Sequence, residues 1–228
     1  IPVAGRLFKT EYPLLMLATV VMAWALYDLT LDIVDGFALL GLLILSLGHL
    51  IREHRRNPGA YAHEEHESAE MVHDMKMPAA LGWLLLGLVL LVGSSKLLVW
   101  GASGIATALG VSDLVIGLTV IALGTSLPEL AASIASLRKG APDLAIGNIL
   151  GSNIINLLAV LPFPGLLSPG LIQAPLLFRD FAAVTLLTLL LAAFCYYAVT
   201  RGKQLGRLSG VIFLSIYCGW FTVMLLNA

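Results

Sequence analysis

Seven stretches of this sequence, each of about twenty residues, are almost wholly apolar, a length that wound as helix matches the ~30 Å hydrocarbon core of a bilayer. They cover residues 12–30, 36–51, 78–100, 112–137, 143–163, 180–200 and 208–227. Lipid offers no water to main-chain N–H and C=O groups, so each run is predicted to be a helix that satisfies its own backbone. The expected fold class is therefore all-α, a polytopic membrane helix bundle of about seven transmembrane helices. Composition agrees: 59% of residues are hydrophobic and 12% charged, against about 25% charged in a soluble domain. A soluble core of 228 residues could not hide that much apolar surface.

Between the runs lie polar or proline-punctuated loops: DLTLDIVDG, the segment from Arg52 to Met77, RKGAPD, and PFPGLLSPGLIQAP. With a cytoplasmic N-terminus, the inner loops hold Arg6, Lys9, Arg52, Arg55, Arg56, Lys76, Arg138, Lys139, Arg201, Lys203 and Arg207, leaving Lys96 and Arg179 outside. That bias obeys the positive-inside rule and puts the C-terminus outside. The first residues, IPVAGRLFKTEYP, lack the apolar core of a cleavable signal peptide, and the absence of an initial Met suggests a processed or truncated chain. A net charge of −1 says nothing about partners, and no basic patch points to a nucleic-acid partner. Cys195 and Cys218 lie in apolar runs and are expected to be free thiols.

The chain divides into residues 1–51 with two helices, an acidic and His-rich cytoplasmic loop at 52–77, and a five-helix part at 78–228. Within the loop, His63, His66, Glu67, Glu70, His73 and Asp74 fall at helical spacing along one face. They suit either a transition metal or, more simply, the solvated face of a connecting helix.

From Leu114 to Leu137 the only ionisable residue is Glu129, directly behind Pro128. A central acid costs a membrane helix about 2.5–3.5 kcal/mol, so it marks a functional site by default. Pro128 cannot donate to the Gly124 carbonyl and clashes with it, which predicts a broken helix. Ala122, Thr125, Ser126, Glu129, Ala132 and Ser133 recur at helical spacing on one face. Hydroxyls, a carboxylate and freed carbonyls are hard oxygen donors, the set that Na⁺ and Ca²⁺ select. The competing reading is a kinked packing helix whose Glu129 is protonated or bonded to a neighbour. In the next run, Asn148, Ser152 and Asn156 form a ladder at i, i+4, i+8, and Gly147 with Gly151 forms GxxxG. Asn148 and Asn153 could equally serve as interhelical glue. The two runs, joined by RKGAPD, read as a hairpin built round an ion.

The segment GLTVIALGTSLPELAASIASLRKGAPDLAIGNILGSNIINLLAVL, with GTSLPE followed by GNxxGSNxxN, resembles the second α-repeat of the sodium/calcium exchangers, within the cation/calcium exchanger superfamily, nearest to the bacterial calcium/sodium antiporters. The resemblance implies a ten-helix inverted-repeat fold in which two such hairpins enclose Na⁺ and Ca²⁺ at the membrane midplane. It makes Glu129 a central carboxylate ligand, Thr125 and Ser126 donors of hydroxyl and carbonyl oxygens, the Ala122 carbonyl part of one Na⁺ site, and Ser152 part of another. Asn156 stands where some relatives carry Asp, and LPFPG replaces a Gly-containing turn. One α-repeat is present where the family has two, so the chain is expected to correspond to the fourth through tenth helices, with residues 1–51 ending the first half. A second copy or missing N-terminal helices would supply the other repeat.

The expected function is a secondary active antiporter of the bacterial inner membrane, or its C-terminal portion, exchanging Ca²⁺ for Na⁺ by alternating access. The transported ions are the only ligands implied, with no cofactor. Alternatives are a Ca²⁺/H⁺ exchanger with Glu129 as proton carrier, and a non-transporting membrane subunit. An enzyme is not expected: no His accompanies Ser or Glu within the runs around Glu129, and no Walker motif is present.

Overall fold

A computed structural model describes residues 1, 3, 5–56, 77–111 and 113–226. His63, His66, Glu67, Glu70, His73 and Asp74 lie outside them. The described elements are α1 (Gly5–Lys9), α2 (Glu11–Ala25), β1 (Thr30–Leu31), α3 (Ile33–Arg56), α4 (Met77–Ala108), α5 (Asp113–Ile116), α6 (Ala122–Thr125), α7 (Leu127–Arg138), α8 (Pro142–Ile155), α9 (Pro162–Leu167), β2 (Gly170–Leu171), α10 (Ala182–Arg201) and α11 (Arg207–Leu226). Three π-helical turns, Gly117–Ile121, Asn156–Val160 and Leu176–Phe181, run continuously into the helices beside them.

Five helical stretches are long and apolar enough to cross a membrane: Ile33–Arg56, Met77–Ala108, Pro142–Leu167, Leu176–Arg201 and Arg207–Leu226. A sixth is completed if Thr119–Thr125 and Leu127–Arg138, bent by 41°, count as one span. The first expected run, 12–30, is shorter as a helix: α2 has 15 residues, about 22 Å of rise, and ends at Ala25. The chain then turns through Leu26–Leu29, and Leu29 adopts φ 58°, the one positive φ of a non-glycine residue among those described. The second and third runs extend beyond their expected ends, to Arg56 and to Ala108, because nothing in HLIREHRR or GASGIATA breaks a helix. Residues 52–56 and Met77, expected in the acidic loop, are helical.

The start of α3 is fixed by its own side chains. Asp32 Oδ1 accepts from the Asp35 N–H at 2.9 Å and Asp35 Oδ2 accepts from the Asp32 N–H at 3.1 Å, a reciprocal cap. This end of α3 lies hard against α9: a Cβ on Gly36 would come within 2.6 Å of Leu166, and one on Gly165 within 2.8 Å of the Asp32 carbonyl. β1 and β2 pair antiparallel, Thr30 opposite Leu171 and Leu31 opposite Gly170, and the Ile172 N–H donates to the Leu29 carbonyl at 2.7 Å. Two loops distant in sequence are thus joined.

The buried core runs between α2, α3, α8 and α10, around Leu15, Met22, Leu39, Leu150, Leu158 and Cys195. Outside it, large side chains such as Trp83, Leu90, Trp100, Ile44 and Phe178 are exposed, as expected of a surface whose solvent is lipid. Arg179 is bonded to its neighbour Asp180 through two nitrogens, and Trp220 Nε1 donates to Asp180 at 2.9 Å, which ties the Leu176–Phe181 turn to α11. Cys195 is buried and Cys218 exposed, both as free thiols.

Candidate cation site

The run around Glu129 is not a single kinked helix. It stops after Thr125, passes through Ser126 at φ −89°, ψ −3°, and restarts as α7 with Pro128 in its first turn. A proline costs nothing there, because the first-turn N–H groups have no intrahelical acceptor. The break also puts Glu129 in the first turn of α7, where the helix dipole stabilises negative charge.

α4 presses on the break. The Gly124 carbonyl, which Pro128 leaves without its α-helical donor, accepts a hydrogen bond from the Ser95 hydroxyl. Glycine at 124 makes the close approach of α4 possible, since a Cβ there would overlap Val99 Cγ2. Ser95 is the one buried residue of α4, and no spacing within that apolar run distinguishes it from Ser94 or Ser103.

Across the hairpin, Asn148 Nδ2 donates to the main-chain carbonyl of Glu129 at 3.0 Å and to Ser133 Oγ at 2.9 Å. This sets Asn148 against the turn of α7 that runs from Glu129 to Ser133. Thr125 lies on the other side of the 41° bend from Glu129, and Ser152 stands one turn beyond Asn148 on α8.

The hydroxyl protons are occupied within their own helices. Thr125 Oγ1 donates to the Ile121 carbonyl at 2.9 Å and approaches that of Ala122 at 3.2 Å, while Ser152 Oγ donates to the Ile149 carbonyl at 3.1 Å. Each oxygen keeps lone pairs free to accept, as a hydroxyl must to serve a cation. Glu129 is half-buried, and its Oε2 has neither solvent contact nor a hydrogen-bond partner among the described residues.

Ala122, Thr125 and Ser126 lie exposed on the flank of the break, Ser152 is half-buried, and Asn156 is exposed where α8 passes into a π turn. Asn148 bridges to α7 through its amide nitrogen, as the interhelical-glue reading expected, whereas Ser152 bonds within α8 and Asn156 makes no side-chain bond among the described residues. The stripe expected on one face is likewise split, with Ser133 buried against Asn148 and Ala132 exposed. Among the described residues no three His, Cys, Asp or Glu side chains come together, so the hairpin offers oxygens around one acid.

A helical membrane protein whose discontinuous helix presents polar groups has the architecture of secondary transporters. The family model described as sodium/calcium exchanger protein matches residues 79–226. CaxA of Alkalimonas amylolytica is 41% identical over 223 residues, which cover 96% of this chain and 69% of CaxA. The inner membrane protein YrbG of Escherichia coli (strain K12) is 36% identical over 224 residues, 97% of this chain and 68% of YrbG. Among solved structures, the sodium-calcium exchanger NCX_Mj soaked with Na⁺ and Ca²⁺ superposes with a TM-score of 0.74 at 27% identity, covering 97% of this chain and 67% of that one. This chain belongs to the sodium/calcium exchanger family, as the GTSLPE and GNxxGSNxxN motifs implied.

Proposed function

We propose that the chain forms part of a secondary active antiporter that exchanges Ca²⁺ for Na⁺ by alternating access across the inner membrane, with Glu129 as the acid for which the two ions compete. The observation that carries this reading is the bare, water-excluded Glu129 Oε2 beside the break in the helix. An ion completes such an oxygen at less cost than leaving it unpaired in a low-dielectric site. Thr125 and Ser126 would add hydroxyl and carbonyl oxygens, Ala122 its carbonyl, and Ser152 and Asn156 side-chain oxygens from the second arm of the hairpin.

One carboxylate leaves a bound Ca²⁺ with net positive charge, and Ca²⁺ takes about six to eight oxygens. A second acid-bearing hairpin, from a paired copy or from helices beyond the described ones, would complete the shell. The family membership and the likeness to NCX_Mj support Ca²⁺ and Na⁺ as the ions. The name of YrbG supports an inner-membrane location, and the distribution of Lys and Arg supports a cytoplasmic N-terminus.

The test is Ca²⁺ uptake into everted vesicles. Uptake driven by a Na⁺ gradient and abolished by Glu129→Gln is the expected result. Uptake driven by a pH gradient without Na⁺ would replace Na⁺ coupling by proton coupling, and Na⁺-driven uptake that survives Glu129→Gln would remove the acid from the site.

A further inference from the structure

The Asn148 amide spends its two N–H groups on different objects: one on the Ser133 hydroxyl, the other on the main-chain carbonyl of Glu129 itself. Glue between two helices needs only the first. The second acts where α7 is weakest, since Glu129 lies in the turn that follows the break and few intrahelical hydrogen bonds hold a first turn in place. On α8, Ser152 stands one turn beyond Asn148. The bond from Asn148 therefore ties the main chain that carries Glu129 to the arm of the hairpin that carries Ser152.

We propose that Asn148 is a positioning residue that sets the width of the cation site, and with it the discrimination between Ca²⁺ and larger divalent ions, without touching the ion. The proposal rests on the reading of Glu129 as an ion ligand. Its physical basis is general: selectivity among hard cations depends on cavity size and rigidity, and groups that hold a ligand in place affect affinity nearly as strongly as the ligand. Ser133 supplies the control, because removing its hydroxyl weakens the helix-to-helix tie while leaving the bond to the Glu129 carbonyl.

The experiment is Ca²⁺ uptake by the full exchanger in everted vesicles, with Sr²⁺ and Ba²⁺ as competitors, for the wild-type protein, Asn148→Leu, Ser133→Ala and Glu129→Gln. Asn148→Leu keeps the volume and removes both donors. It is expected to weaken apparent Ca²⁺ affinity about 10- to 100-fold and to bring the Ca²⁺-to-Sr²⁺ preference towards unity. Ser133→Ala is expected to keep both. Equal losses in Asn148→Leu and Ser133→Ala, or an unchanged ion preference in Asn148→Leu, overturn the proposal. Should Asn148→Leu not accumulate in the membrane, Asn148→Gln keeps the donors on a longer arm. It should move the preference towards Sr²⁺, and an unmoved preference overturns the proposal equally. Wild-type uptake that Glu129→Gln leaves intact overturns the reading of Glu129 first, and the role of Asn148 with it.

Discussion

The Ser95 hydroxyl donates to the carbonyl of Gly124, so α4 grips the break in the neighbouring helix through its one buried side chain. Nearly every other residue of α4 faces outward. A helix so sparsely packed depends on a few contacts, and this one answers for a carbonyl that Pro128 cannot serve.

Ser95→Ala removes that donor from a buried site. Leaving a buried acceptor under-satisfied costs about 1–3 kcal/mol, so the variant should unfold at a lower temperature in detergent. Unchanged thermal unfolding would show that the main-chain N–H also reaching the Gly124 carbonyl at the end of α6 is sufficient.

Gly124→Ala should be more harmful than its size suggests. The added methyl would overlap Val99 Cγ2, and overpacking of this kind costs about 1–3 kcal/mol. Val99→Ala in the same chain makes room, so the double variant is expected to recover most of the lost stability. A double-mutant cycle on thermal unfolding measures the coupling, and simple additivity would contradict the contact.

Leu29 holds a left-handed conformation at φ 58°. Asn visits that region readily and β-branched residues do not. Leu29→Ile should destabilise by about 1–2 kcal/mol at nearly constant volume, whereas Leu29→Asn should stay within about 0.5 kcal/mol of the parent. Equal melting temperatures for the two variants would refute a strained turn.

Asp28 provides a pH signature outside the membrane spans. The Thr30 hydroxyl at 2.7 Å, helped by the Thr30 N–H at 2.9 Å, holds its carboxyl below the ordinary 3.8. A depressed value stabilises the folded state above the unfolded pKa, and that contribution is lost as pH falls through the folded value. Thr30→Val removes the hydroxyl. The stability gap between parent and variant should be full above about pH 4 and close below it, as followed by thermal unfolding across a pH series.

What could be read from the sequence was whatever a single residue type dictates. Proline has no N–H and glycine no Cβ, so GTSLPE announced a break at the right place and an acid beside it. The apolar runs announced the membrane. Boundaries were less legible where no breaker stands: α2 ends at Ala25 inside a run still apolar at Leu26 and Leu29, because its end is set by the tie from Leu29 to Ile172, a contact across 143 positions. The three π turns carry no residue code at all, and one of them begins at Asn156, where a strictly α-helical ladder had been expected to continue. Ser95 was invisible as a contributor for the same reason, and Ser133, legible on the polar stripe, could not be told there as the partner of Asn148. Each is one hydroxyl among several, and only the packing of α4 on α6 and of α8 on α7 selects it.

The two-residue ladder between Thr30–Leu31 and Gly170–Leu171, extended by Ile172, has an evolutionary corollary. A clasp made of main-chain atoms is blind to the identity of the side chains it carries. The exposed positions Gly170 and Leu171 can therefore change their side chains while the ends of the bundle stay fastened, whereas Leu29 and the buried Leu31 keep constraints of their own. An imino acid at position 172, which has no hydrogen to give, would remove the bond to the Leu29 carbonyl in a single step.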